Sequence, residues 1–284
     1  MMIPLGDGEA ALLRFGRAGA PPLLFAHANG FCASAYRQMF EAMGERFDIF
    51  AADLRGFGRS RLPADPARHR SMDVFGADLA RLIDALAPHA GRHASWTLAG
   101  HSLGAVSAAL AAVGRTDIVA LRLIEPVATP RWLSLLAGAP FWPLFSPAMP
   151  LVRAARARRA VFPDRAFVRG RYAGKPLFST WAAGVLEDYL EDGLREIDDG
   201  VELSCAPAWE AATFAGQAQD FWKAAAVAPA PLRVLVARDA SSTTPPAAQR
   251  RLRRLGAVIE RVDGLTHLMP FEDPARAAAF LAAD

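Results

Sequence analysis

Short apolar runs alternate with helical patterns up to residue 125, and this alternation constrains the fold more than any other feature. A chain that alternates buried strands with amphipathic helices forms a parallel sheet with helices on both faces. The runs that predict strands are 23–26, 47–52, 96–99 and 121–124. Residues 36–43, a segment starting with Ser71 as its N-cap, and a segment starting at about Leu103 are predicted to be the intervening helices.

The alternation stops at Pro126 and resumes with an apolar run at 232–237, a helix at 247–255 and a strand at 258–262. The segment between them is rich in Pro, Arg and Trp, with helical patches and no strong strand. We therefore predict an α/β fold with a doubly wound, mostly parallel sheet built from residues 1–125 and 230–284. Residues 126–229 are predicted to be a helical segment inserted before the penultimate strand.

The pentapeptide Gly100-His101-Ser102-Leu103-Gly104 fits the pattern G-x-S-x-G and lies between a predicted strand and a predicted helix. In this context the serine occupies a sharp turn that exposes its hydroxyl above the sheet. The two glycines suit a turn in which backbone segments come too close for a Cβ. Ser102 is therefore the predicted nucleophile.

A serine nucleophile needs a base, and a histidine after the last strand is the expected one. His267 lies just after the strand that ends at Val262. His69, His89 and His93 lie in polar connections before the pentapeptide and are predicted to be surface residues.

Together these motifs resemble the α/β-hydrolase fold superfamily, in its branch of lid-bearing esterases, dehalogenases, epoxide hydrolases and C–C hydrolases. The segment 25–29, Phe-Ala-His-Ala-Asn, resembles the family's strand-end H-G-x, with Ala28 in place of glycine. The segment 53–60, Asp-Leu-Arg-Gly-Phe-Gly-Arg-Ser, matches its D-x-R-G-x-G-x-S loop. The resemblance implies that residues 126–229 are the helical lid, whose aromatic side chains would roof the site.

The resemblance also implies an oxyanion hole made by the backbone amides of Leu103 and Asn29. A hairpin turn at Asn29-Gly30 is the alternative interpretation of that segment. Dehalogenases and epoxide hydrolases of this family use a carboxylate at the position of Ser102. A serine there leaves acyl chemistry: esters, thioesters, lactones, amides or C–C cleavage of a diketone.

The triad acid is ambiguous. The family usually carries it after the penultimate strand, where Asp239 lies early in the loop and Ser241 occupies the usual position. Some lidded relatives place it one strand earlier, where Glu125 follows the run 121–124. We favour Glu125, which could instead be a hinge residue paired with an arginine, and keep Asp239 as the alternative acid or a surface carboxylate.

Composition excludes several classes. A net charge of +3 is too small to argue for nucleic acid, and two cysteines exclude a disulfide framework or a Cys-based zinc cluster. No metal or organic cofactor is predicted. The first residues have no basic and apolar signal segment, so a cytoplasmic protein is expected.

Residues 132–152 form an uncharged run of 21 residues, long enough for a membrane-spanning helix. Its four prolines argue against one, so the run is predicted to be buried or to line a pocket, without stable membrane insertion. An arginine-rich stretch follows at 153–171. It is either a solvated helix face or a site for an anionic substrate or surface.

These features predict a serine hydrolase that cleaves a carboxylic ester, or a related carbonyl compound, of small and probably apolar type. Ser102, His267 and an acid would form the triad, with an acyl-enzyme intermediate. The alternatives are a ligand-binding protein on the same fold with an absent or very slow activity, and an acyltransferase or perhydrolase.

Overall fold

The computed structural model describes residues 1–91, 95–228 and 231–283. Eight strands form the central sheet: β1 (Met2–Pro4), β2 (Glu9–Gly16), β3 (Pro22–Ala26), β4 (Asp48–Ala52), β5 (Trp96–His101), β6 (Ile118–Ile124), β10 (Leu232–Ala237) and β11 (Val258–Val262). Their order across the sheet is β1-β2-β4-β3-β5-β6-β10-β11. The six strands from β4 to β11 in this order pair in parallel, whereas β1 with β2 and β2 with β4 are antiparallel.

The six parallel strands are those that the sequence predicts, but the two antiparallel strands at the edge were missed. β1 has only three residues. In β2, three consecutive buried residues at 10–12 hide the alternation that identifies a half-buried strand.

Helices cover both faces of the sheet, as predicted. Phe75 of α2 and Val106 of α3 contribute to the core on one face, and Phe40 of α1 and Phe280 of α13 to the core on the other. The helices that belong to this part of the chain are α1 (Arg37–Ala42), α2 (Asp73–Ala90), α3 (Leu103–Ala111), α11 (Pro246–Arg254), α12 (Met269–Glu272) and α13 (Pro274–Ala282).

Residues 126–228 connect β6 to β10 and are called the insert below. Its helices are α4 (Arg131–Ala137), α5 (Trp142–Phe145), α6 (Pro150–Arg156), α7 (Arg165–Ala173), α8 (Val185–Gly193), α9 (Pro207–Ala215) and α10 (Phe221–Ala226). It also contains an antiparallel sheet of β7 (Val161–Phe162), β8 (Leu194–Ile197) and β9 (Gly200–Leu203). The prediction of an insert without strands was therefore wrong, because strands of two to four residues carry too little periodicity to detect. Its predicted end at residue 229 lies outside the described residues.

The uncharged run 132–152 is not the buried segment that the sequence predicts. Trp142 and Val152 are buried, but Trp132 is 67% exposed and Leu144 is 79% exposed. Prolines at 143 and 150 start α5 and α6 as separate short helices. Among the described residues, no helix is both long and apolar enough to cross a membrane.

Two local predictions before β5 are corrected. Ser71 does not cap α2; it precedes the N-cap residue Met72, and its hydroxyl oxygen accepts a hydrogen bond from the Asp73 N–H (3.0 Å). His69 is buried rather than at the surface, because the ring of Trp209 from the insert packs against it (centroids 4.7 Å apart). His89 is exposed, as predicted, and His93 lies outside the described residues.

The buried His69 should make stability depend on pH. Burial and the neighbouring Arg70 cation lower its pKa to about 4, whereas an unfolded histidine has a pKa of about 6.5. As the pH falls below 6.5 the unfolded chain takes up this proton first, so the free energy of unfolding decreases until about pH 4. We expect the wild type to lose on the order of 3 kcal/mol more than His69→Gln across this window in urea titrations. The same pH dependence in both proteins would contradict the assignment.

Candidate active site

Ser102 lies in a sharp turn between β5 and α3. Its φ of 57° and ψ of −113° fall outside the regions that non-glycine residues normally occupy. A Cβ on Gly104 would lie 2.0 Å from the carbonyl oxygen of Ala26, and one on Gly100 would lie 2.4 Å from the backbone of Gly104. The pentapeptide therefore has the strand–turn–helix context that the sequence predicts, and both glycines are required by close packing.

His267 lies in the loop between β11 and α12, with its Nε2 3.1 Å from the Oγ of Ser102. Two side chains hold its backbone in place. Its N–H donates to the Oγ of Ser241 (2.7 Å), and its carbonyl oxygen accepts a hydrogen bond from the Nε2 of His101 (2.8 Å). The imidazole is thus positioned from both sides of the loop.

Glu125 follows β6 and is fully buried. Its Oε2 accepts a hydrogen bond from the Nδ1 of His267 (3.2 Å) and from the N–H of Thr243 (2.8 Å). Its Oε1 accepts from the N–H of Ala237 (2.6 Å) and the hydroxyl of Ser242 (2.9 Å). A carboxylate that accepts this many hydrogen bonds is held in one orientation, with its negative charge stabilised beside the imidazole.

Ser102 and Glu125 share an unusual backbone conformation. Apart from glycines, they are the two residues with positive φ in the described part of the chain, at 57° and 48°. Such conformations cost on the order of 1–3 kcal/mol each and persist where the surrounding structure enforces them. Both strained residues therefore lie at the same place, the carboxyl ends of two neighbouring strands.

Asp239, the alternative acid, is exposed and does not contact the imidazole. Its Oδ1 accepts hydrogen bonds from the N–H and the hydroxyl of Ser241. Since the Oγ of Ser241 accepts from the backbone N–H of His267, Asp239 reaches only the backbone of the histidine loop. Of the two carboxylates, Glu125 is the one that the fold brings to the imidazole.

Asn29 lies in a turn after β3 that the N–H of Phe31 closes onto the carbonyl of Ala28 (3.2 Å). A 3-10 helix (Ala33–Tyr36) and α1 follow, so the segment is not the hairpin of the alternative interpretation. Within the described residues, neither the N–H of Asn29 nor that of Leu103 donates a hydrogen bond. Both amides are therefore available to a ligand.

Tyr36 and His101 link the two loops, and sequence reasoning missed this role for them. The N–H of Ala28 donates to the Tyr36 hydroxyl (3.0 Å), which donates to the Nδ1 of His101 (2.8 Å). The other ring nitrogen of His101 then donates to the carbonyl of His267. Burial, together with the nearby His267, lowers the pKa of His101 well below its usual value, so the ring is neutral and this chain of hydrogen bonds is fixed. The position of His101 inside the pentapeptide was the only signal.

The ring nitrogens of the site histidines are engaged within the protein. His27 donates from Nδ1 to the carbonyl of Ala28 (2.8 Å) and accepts the N–H of Leu54 at Nε2 (2.9 Å). Burial lowers the pKa of His27 to about 4, which keeps it neutral. In the described residues, no three His, Cys, Asp or Glu side chains are grouped so that they could hold a metal ion.

The insert supplies an aromatic wall beside the Asn29 turn. Trp181 lies 5.9 Å from Phe31 and 4.6 Å from Phe271, measured between ring centroids. The other insert aromatics expected to roof the site divide into two groups. Those buried in the core are Trp142, Trp209, Phe221 and Trp222; those exposed to solvent are Trp132, Phe141 and Phe145.

The fold, the elbow and the Ser102–His267 contact agree with one family. The sequence profile of the alpha/beta hydrolase family matches residues 23–280. The chain belongs to this family. Its match therefore runs through the insert as well as the sheet, and places this chain among the alpha/beta hydrolases over nearly its full length.

Individual alpha/beta hydrolases are more distant. An "Epoxide hydrolase" of Caballeronia sordidicola is 36% identical over 104 residues, which cover 36% of this chain and only 29% of the relative. The crystal structure of E-2-(acetamidomethylene)succinate hydrolase is similar with a TM-score of 0.78 and 23% identity, covering 100% of this chain and 98% of that one. A thermophilic esterase from Thermogutta terrifontis gives a TM-score of 0.68 and 22% identity, covering 99% and 96%. At these identities the structures share the fold.

Proposed function

We propose that this alpha/beta hydrolase is a serine hydrolase that cleaves a carboxylic ester, or a closely related carbonyl compound, through an acyl-enzyme. One observation carries the proposal. The Oγ of Ser102 lies 3.1 Å from one nitrogen of His267, whose other nitrogen lies 3.2 Å from the buried carboxylate of Glu125. This is the geometry of a nucleophile, its base and the group that orients the base.

In the first half of the reaction the Oγ of Ser102 attacks the substrate carbonyl carbon and the Nε2 of His267 takes the hydroxyl proton. The bond to the leaving alcohol then breaks, and His267 returns that proton to the alkoxide oxygen. Glu125 keeps the proton of Nδ1 directed toward itself and stabilises the imidazolium between the two steps.

In the second half a water molecule takes the place of the alcohol. His267 removes one proton from the water as its oxygen attacks the acyl carbon. The bond to Ser102 breaks, and the proton passes from His267 to the Oγ. The products are a carboxylic acid and a regenerated hydroxyl, so no cofactor is consumed.

The negative charge that develops on the carbonyl oxygen needs hydrogen-bond donors. The free N–H of Leu103, at the N-terminus of α3, and the free N–H of Asn29 are the candidate oxyanion hole. Tyr36 and His101 connect the Ala28 segment to the backbone of His267, so they would hold the donors and the base in register.

The insert would act as the lid that sets substrate choice. Trp181 and Phe31 place apolar surface next to the Asn29 turn, which favours an apolar acyl or alcohol group and excludes water. Two solved relatives are named as a hydrolase of an acetamidomethylene succinate and as an esterase, and both names are compatible with acyl chemistry here.

Epoxide hydrolysis is the second candidate because of the named relative. An epoxide hydrolase of this family forms an alkyl ester with a carboxylate at the elbow, where this chain has Ser102. The alternatives of a slow or inactive binding protein, and of an acyltransferase or perhydrolase, would use the same side chains. Products formed in the presence of competing alcohols or peroxide distinguish a transferase or perhydrolase from a hydrolase.

The test is labelling with a fluorophosphonate followed by peptide mapping. We expect one modified residue, Ser102, together with turnover of an activated ester such as p-nitrophenyl butyrate. Labelling should be blocked by an apolar ester that competes for the site. A protein that neither reacts with the fluorophosphonate nor turns over any activated ester would be the binding protein instead.

We further expect Tyr36→Phe to lower kcat about tenfold, because small displacements of catalytic groups cost one to two orders of magnitude. The change removes a hydroxyl that joins Ala28 to His101, and leaves packing intact. Tyr172→Phe is the matched control: it removes another buried tyrosine hydroxyl, which lies 3.3 Å from Arg158 in the insert. Steady-state kinetics on both variants would contradict the positioning role if Tyr36→Phe kept the wild-type kcat.

A further inference from the structure

The first part of the insert has an unusual charge distribution. Residues 126–163 contain five arginines, no lysine and no aspartate or glutamate. The central portion, 132–152, is uncharged, and arginines lie directly on either side of it. A segment of this kind presents apolar and cationic groups without any anionic group between them.

The structure exposes the apolar groups of this segment. α5 and α6 bury Trp142, Val152 and Ala155 against the rest of the insert, so the segment is anchored. The opposite side is exposed to solvent and carries large apolar side chains, called the apolar face here: Trp132, Leu135, Leu136, Phe141, Leu144, Phe145 and Leu151. Seven exposed large apolar residues within 20 positions make a patch of the kind that marks an interaction site.

Three exposed arginines border the apolar face. Arg131 directly precedes Trp132, and Arg153 and Arg156 lie on α6 close to Leu151. In the part of the chain that the structure describes, none of the three forms an ion pair or a side-chain hydrogen bond. Later arginines of the insert behave differently.

Arg158 pairs with Glu210, Arg165 with Glu196 and Arg169 with Glu187. The arginine-rich stretch at 153–171 therefore combines two kinds of site. Its later members are mostly neutralised within the protein, whereas the three around the apolar face keep their charge for an external anion.

We propose that the apolar face binds the surface of a bilayer that contains anionic phospholipid. The aromatic and leucine side chains would enter the boundary between headgroups and acyl chains, and the three arginines would pair with lipid phosphates. Helices of four to seven residues lie on such a surface and do not span it. This is a binding activity separate from the proposed ester hydrolysis.

Charge argues against a second copy of the chain as the occupant. In a symmetric dimer the same patch lies on both sides of the interface, so two sets of unpaired arginines would approach each other with no acidic residue from 126–163 to neutralise them. An anionic bilayer supplies the opposite charge to all three arginines at once.

The test is co-sedimentation of the full-length protein with vesicles of phosphatidylcholine alone or with 30% phosphatidylglycerol. We expect binding to the anionic vesicles that weakens with added salt, because salt screens exposed charges. Each cation near an anionic surface strengthens binding about fivefold, so the triple variant Arg131→Ala, Arg153→Ala, Arg156→Ala should bind on the order of 100-fold more weakly.

A matched control removes the same charge elsewhere. Arg250, Arg253 and Arg254 are exposed on or at the end of α11, and their replacement by alanine changes the net charge equally. This variant should bind within a fewfold of the wild type. The double variant Leu135→Gln, Leu144→Gln should bind at least tenfold more weakly while the hydrolysis of a soluble activated ester stays unchanged.

The fluorescence of Trp132 reports where contact occurs. Anionic vesicles should shift the emission to shorter wavelength, and Trp132→Phe should abolish most of that shift while it keeps vesicle binding. The proposal is overturned if the wild type does not bind anionic vesicles at low salt, or if both arginine variants bind equally. It is also overturned if sedimentation velocity shows a dimer that Leu135→Gln, Leu144→Gln dissociates, since the face would then be covered by a second copy.

Discussion

Ser102→Ala should lower the kcat for an activated ester by about 10⁶, to a level near the reaction without enzyme. The change removes the Oγ that lies 3.1 Å from His267, and with it the covalent route. Alanine meets the same backbone strain as serine at φ 57°, so the variant should fold with a melting temperature close to that of the wild type.

Ser107→Ala is the matched control for this change. Ser107 is fully buried on the same helix, α3, and its hydroxyl donates to the carbonyl of Leu103 (2.8 Å) without touching His267. Its kcat should stay within a fewfold of the wild type in the same stopped-flow assay. More than a few per cent of activity in Ser102→Ala would remove Ser102 as the nucleophile.

Glu125→Gln should lower kcat at least 100-fold, because it removes the negative charge that faces the imidazole nitrogen of His267. It should also reduce stability. Each carboxylate oxygen accepts a backbone N–H, from Ala237 or from Thr243, so one of these donors would face the new NH₂ group. A buried donor without an acceptor costs about 1–3 kcal/mol. Kinetics should therefore be measured well below the melting temperature of the variant.

Asp239→Asn separates the two candidate acids. Asp239 is exposed and its Oδ1 contacts only Ser241, so kcat should fall less than tenfold and the melting temperature should hold. The reverse ranking of the two variants would transfer the role to Asp239. If neither variant lowered kcat, the proposed triad would fail at its third member and the binding-protein alternative would gain.

The parallel sheet was predictable because its signal is local. β3 and β10 are continuous apolar runs whose burial follows from composition alone. The elbow was predictable for a similar reason, since its two glycines and its serine lie within five consecutive residues. Sequence patterns record well those features that neighbouring residues determine together.

Features that depend on distant contacts were not predictable. The hydrogen bond that joins Glu125 to His267 spans 142 positions, so the sequence left two acids open. The role of His101 depends on Tyr36 and on the backbone of His267, neither of which is near it in sequence. The exposure of the run 132–152 is a property of how the insert packs, and an apolar run by itself more often indicates burial.

The sequence separation within the site has a consequence for folding. Ser102 and His267 are 165 positions apart, and both must be delivered to the same edge of a sheet whose strands pair across most of the chain. Such long-range contacts form late, after the entropy of closing large loops has been overcome. The ability to react with a fluorophosphonate should therefore return only in the last kinetic phase of refolding, after the circular dichroism signal of the helices, and would serve as a reporter of complete assembly.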